Sequence, residues 1–259
     1  MSHFAVLVIG DNIEEQLAPF QENNMGDCPS DYMEFTDHTD ECKAEYNSDD
    51  VDKNEYPTLI KYAKDYHGYE EDGDGRFGYW ENPNAKWDWW VIGGRYRDRL
   101  KMNAPELALK GESMEQYPSL YRESTEGFGD KGLKCNIDWE SMHGNQEDYD
   151  KAIRFWEMKV EGAKPETEEE EEAIRFDWYR EGYYEDRYKT KEIYAQCCAN
   201  FTMWAVVKDG QWYEKGDMGW WGMSGESDDE AVDWELNFYD RFIRPLGDGV
   251  TVTVVDCHI

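Results

Sequence analysis

The sequence predicts an α+β protein whose mostly antiparallel sheet is built from both ends of the chain, with helices and acidic insertions between. Three observations carry this: an apolar run from His3 to Ile9, a Val/Thr alternation from Val250 to Val255, and helical spacings between them punctuated by glycine and proline. A formal charge of -32 on 259 residues usually accompanies disorder, but the 12 Trp, 18 Tyr and 10 Phe supply enough apolar surface for a packed core.

The elements follow in order. His3 to Ile9, closed by Gly10-Asp11-Asn12, reads as a buried central strand, and Ile13 to Phe20 as a short helix or turn limited by Pro19. From Glu22 to Glu55 the acidic residues face only Lys43 and Lys53 and show no period, which predicts an acidic insertion or long loop at 22–55. Pro57 to Tyr66 has helical spacing. Lys86 to Met102 reads as two strands joined at Gly93-Gly94, with Arg95, Arg97, Arg99 and Lys101 on one face of the second. Helices are expected over 147–160, 166–179 and 185–198, the second opened by the capping pair Thr167 and Glu170. Together they form a helical insertion at 147–199. Asp209-Gly210 between Phe201–Lys208 and Gln211–Glu214 predicts a tight hairpin, and a helix from Asp228 to Ile243 precedes the last strand. The whole chain, 1–259, reads as one domain.

Composition narrows the function classes. The six cysteines form no CxxC pair, which fits a reduced, cytoplasmic setting. No apolar run is long enough to cross a bilayer, and Met-Ser-His lacks a basic leader region, so a soluble, unexported protein is expected. The acidity argues against direct contact with nucleic acid or anionic membrane. No cofactor is expected.

Several motifs have competing readings. Gly73-x-Gly75-x-x-Gly78 matches a dinucleotide fingerprint in letters only, because no buried strand precedes it and no helix follows. The same stretch fails as a calcium loop, with Arg76 and Phe77 at ligand and glycine positions. Cys28, His38 and Cys42 would offer zinc ligands from one loop, without a fourth. In the terminal strand Asp256 and His258 share a face while Cys257 points away, so a Cys257–His258 nucleophile is disfavoured and an Asp256–His258 pair suits a hydrolase. Trp87, Trp89 and Trp90 beside Gly93, Gly94 and Arg95, with Trp212, Trp220 and Trp221 downstream, read either as core or as a pocket that stacks a base and holds a phosphate.

The blocks SHFAVLVIGDN with QLAPF, NPNAKWDWWVIGGR, FTMWAVVKDGQWYEKGDMGWWG and TVTVVDCHI resemble a family of bacteriophage and prophage proteins. The resemblance implies a phage accessory protein acting in the cytoplasm of the infected bacterium, and it carries no catalytic residues to this chain. The leading expectation is a non-enzymatic anti-defence inhibitor that binds a basic host protein by imitating DNA. It would use Asp37, Asp40, Glu41, Asp49, Asp50 and Asp52 and the run Glu168, Glu169, Glu170, Glu171 and Glu172. The alternative is a protein that sequesters a nucleotide-like signal on the Trp and Arg95 cluster.

Overall fold

A computed structural model describes residues 2–111, 125–218 and 223–259. In chain order the elements are β1 (His3–Ile9), α1 (Ile13–Leu17), β2 (Glu34–Asp37), α2 (Thr39–Tyr46), α3 (Leu59–Asp65), β3 (Glu70–Glu71), β4 (Phe77–Glu81), β5 (Trp89–Ile92), β6 (Leu100–Lys101), β7 (Phe128–Gly129), β8 (Lys131–Leu133), α4 (Trp139–Met142), α5 (Gln146–Lys159), α6 (Glu168–Arg175), α7 (Tyr183–Tyr188), α8 (Lys191–Ala199), β9 (Ala205–Lys208), β10 (Gln211–Glu214), α9 (Asp228–Phe238) and β11 (Thr251–His258). They form an α+β fold arranged as two compact units, one of Met1–Gln16 with Trp89–Ile259, the other Leu17–Asp88.

The larger unit is organised by a sheet of order β10-β9-β1-β11-β5, with β8 also paired to β11. Its two central strands come from opposite ends of the chain. β1 and β11 run antiparallel, His3 opposite His258 and Ile9 opposite Val252, and only β1 with β9 is a parallel pair in this sheet. The continuous burial along β1 and β11 reflects cover on both faces. One face places Leu7, Ile9, Val252 and Val254 against Trp234, Phe238 and Phe242 from α9 and the turn after it. Asp209 and Gly210, at φ 53° and 71°, make the expected hairpin turn between β9 and β10.

Local capping sets the helices. The Thr167 hydroxyl accepts the Glu170 backbone N–H, but the Glu170 carboxylate turns to Arg154 Nε at 2.9 Å. Ser227 and Glu230 complete a reciprocal capping box on α9. The single helix expected over 185–198 is instead two. Lys189 takes φ 64°, and Thr190 caps α8 by accepting the Ile193 N–H, an alternative to continued helix that threonine favours. Among the described residues no helix is long and apolar enough to cross a membrane.

In the smaller unit β2, β4 and β3 form an antiparallel sheet. Cys42, Tyr62, Ala63 and Phe77 make its core, and Trp87 is buried with its indole N–H on the Leu17 carbonyl at 3.1 Å. The acidic stretch 22–55 contributes β2 and α2 to this unit. Gly73 and Gly75 fall in the turn between β3 and β4 and Gly78 in β4 itself; in the turn Asp72 Oδ1 accepts the N–H groups of Asp74 and Arg76 at 2.9 and 2.8 Å. Cys28 donates to the Gln21 carbonyl, Cys42 lies in the core, and His38 meets Glu41. Among the described residues no group of three His, Cys, Asp or Glu side chains is placed to hold a metal ion.

Candidate functional site

Strand alternation sets up the site. The parity that sends Leu7, Ile9, Val252 and Val254 into the core continues to His3, Asp256 and His258 at the end of the same face. A carboxylate buried there is costly unless paired. Asp256 is fully buried and paired twice: Oδ1 lies 2.8 Å from His3 Nδ1, and Oδ2 accepts the Arg95 backbone N–H at 2.8 Å. The His3 ring meets those of His258 and Trp89 edge-on, with centroids 4.9 and 5.9 Å away. The Tyr96 hydroxyl donates to the His3 carbonyl at 2.8 Å. Burial and the Asp256 charge push the Tyr96 phenol above its usual range, so it keeps its proton at neutral pH.

Gly93 and Gly94 make this approach of chain to carboxylate feasible. Both have positive φ, 75° and 52°. A Cβ on Gly93 would fall 2.5 Å from Asp130 Oδ2, and one on Gly94 2.5 Å from the Asp256 Cβ. Asp130 is itself buried and accepts the N–H groups of Asp98 and Gly111 at 2.6 and 2.8 Å. Burial pushes its carboxyl above the usual range against the pull of those two bonds. The tandem glycines therefore pass between two buried carboxylates. This corrects the expected pair of strands with its basic face: after β5 the chain turns through a 3-10 turn at Gly94–Tyr96, so Arg95 and Arg99 are exposed while Arg97 is 3 % exposed.

His3 also lines a cleft of about 370 Å³, together with Tyr96, Arg99, Trp204, Lys215 and Trp234. The Lys215 ammonium sits 2.8 Å from Glu235 and 5.7 Å from the Trp204 ring centroid. The Trp204 indole nitrogen is buried with no acceptor among the described residues. Comparison of the chain with protein-family models, with curated proteins and with solved structures finds no match. The chemistry must be read from the residues themselves: an oriented imidazole, a guanidinium and an ammonium, and aromatic faces.

The residues singled out in the sequence are distributed unevenly. Trp89 is 43 % exposed and Trp90 half-buried in β5, whereas Trp87 belongs to the core of the smaller unit. Trp212 packs edge-on to Phe4, and Trp220 and Trp221 lie outside the described residues. Cys257 occupies the opposite face of β11, fully buried, and burial holds its thiol well above the usual range. The sequence reading missed His3 as the partner of Asp256, along with Tyr96, Arg99, Trp204 and Lys215 as cleft residues. Of the acidic candidates, Asp37 accepts the Thr39 N–H, Asp52 the Asn54 N–H, Glu41 meets His38 and Glu170 holds Arg154. The Thr39 bonds hold the Asp37 carboxyl below the usual range.

Proposed function

We propose that the protein binds a small anionic, nucleotide-like molecule in the cleft beside His3. The observation that carries this reading is the gathering of His3, Arg99 and Lys215 with the rings of Tyr96, Trp204 and Trp234 around one cleft, in a chain of formal charge -32. Ligand sites commonly take this form, concave and largely aromatic with a few polar groups. A guanidinium suits phosphate and an aromatic face suits a base. Glu235 offsets the charge of Lys215, so the attraction for an anion rests chiefly on Arg99.

Thermal unfolding with nucleoside mono- and diphosphates tests this. The wild type should gain stability with at least one of them, as any ligand of the native state requires. Arg99→Ala should weaken that ligand by ~10-fold or more, as expected for loss of a charged hydrogen bond. Arg95→Ala, at the neighbouring exposed cation, should weaken it less. No stabilisation by any of these compounds, or equal affinity in Arg99→Ala, would contradict the reading.

A second reading is favoured by the charge itself. Asp40, Asp49, Asp50, Glu168, Glu169, Glu171 and Glu172 are exposed, and a coat of this kind suits a basic partner, such as a nucleic-acid-handling or immune protein of the bacterial host that the phage resemblance implies. Such binding is salt-sensitive. A host protein captured at low salt should be released at high salt, and capture indifferent to salt would rule out an electrostatic origin.

A further inference from the structure

We infer that His3 and Asp256 form a general-base dyad and that the protein hydrolyses a phosphate ester of its ligand, an activity that rests on the ligand reading above. Asp256 interrupts a run of buried apolar residues in a central strand, and both of its oxygens are committed, one to His3 and one to the Arg95 N–H. The carboxylate is thus fixed in rotation, and with it the imidazole. A ring that donates from Nδ1 to a carboxylate carries its lone pair on Nε2. The His3 side chain is 15 % exposed and lines the cleft. His258 and Trp89 confine the ring from the side, so its remaining freedom is small. Arg99, in the same cleft, is the cation for the charge that builds on the phosphoryl oxygens.

The step balances with water as the only co-reactant. The water oxygen forms a bond to phosphorus as the bond from phosphorus to the ester oxygen breaks. His3 Nε2 takes the proton that water loses, the ester oxygen on the opposite side of phosphorus departs as the anion and takes any proton from solvent, and the imidazolium then gives its proton to solvent, which restores the neutral imidazole. Asp256, as an anion, stabilises the positive charge that forms on the His3 imidazolium and touches no reacting atom, so it is a positioning residue.

The test uses thymidine 5′-(4-nitrophenyl phosphate) for turnover and thymidine 5′-phosphate for binding. The wild type should release nitrophenolate, and His3→Ala should lose ~100-fold or more in kcat, the usual worth of a general base, with KM and the Kd for thymidine 5′-phosphate within threefold of wild type. Added imidazole should restore part of the lost rate, which a purely structural role for His3 would not allow. Asp256→Asn should lower kcat more than it raises KM. His3→Gln, whose side-chain amide retains a donor, guards against misfolding of the alanine variant and should be equally slow. Binding of thymidine 5′-phosphate without turnover of the ester would overturn the dyad and leave the ligand reading standing. Neither binding nor turnover would overturn both, and an undiminished kcat in a folded His3 variant would overturn the dyad alone.

Discussion

Gly94→Ala is expected to destabilise the protein by about 3 kcal/mol, the combined cost of a strained backbone and an overpacked core. That is roughly 6–12 °C in the unfolding midpoint for a chain of this size. Two causes add. At φ 52° alanine sits in the left-handed region, and its Cβ would lie 2.5 Å from the Cβ of Asp256, a buried residue of the central strand with no room to retreat. The second cause also acts on function, since any shift of Asp256 releases His3. Gly210→Ala is the matched control: its φ of 71° imposes similar backbone strain, but an added methyl there meets nothing within 4 Å. Thermal melts should show Gly94→Ala losing clearly more than Gly210→Ala, and equal losses would mean that the contact with Asp256 has no energetic weight.

Asp256→Ala is expected to cost about 3 kcal/mol as well, by a different route, because it strands the Arg95 N–H and the His3 ring nitrogen without their acceptor. Asp256→Asn keeps one acceptor oxygen and should cost about half as much, again through a single mispaired donor. Urea unfolding measures both. Turnover should fall in both variants, since His3 loses the carboxylate that sets its orientation. If alanine proved no more destabilising than asparagine, the two hydrogen bonds to Asp256 would not be holding the end of the sheet.

The parts of the fold legible in the sequence are those with local causes. The strand at His3–Ile9 is bounded by its own apolar run, and the hairpin at Asp209-Gly210 is set by two residues that accept positive φ. The opposite-face placement of Asp256 and Cys257 follows from the period of two. Non-local causes were not legible. His3 and Asp256 are 253 positions apart, and only the register of β1 on β11 brings them together. The arginines after Gly94 alternate in the sequence as a strand would. Two distant buried carboxylates, Asp130 and Asp256, draw the chain into a turn there, and the alternation loses its meaning. The tandem glycines did signal a close approach, but the approaching group was a pair of side chains rather than a ligand or a neighbouring strand. The net charge is prominent in composition and silent on geometry, which is why it pointed to a surface and away from the cleft.

The central claim, an anionic ligand held beside His3, is tested most directly by NMR of protein carrying nitrogen-15 in its histidines and tryptophans, titrated with thymidine 5′-phosphate. Saturable shifts of the His3 ring nitrogens and of the Trp204 indole N–H are expected, with the indole signal of Trp87, in the core of the other unit, unmoved. Saturable shifts that spare His3 and Trp204, or no shift at millimolar ligand, would contradict the claim.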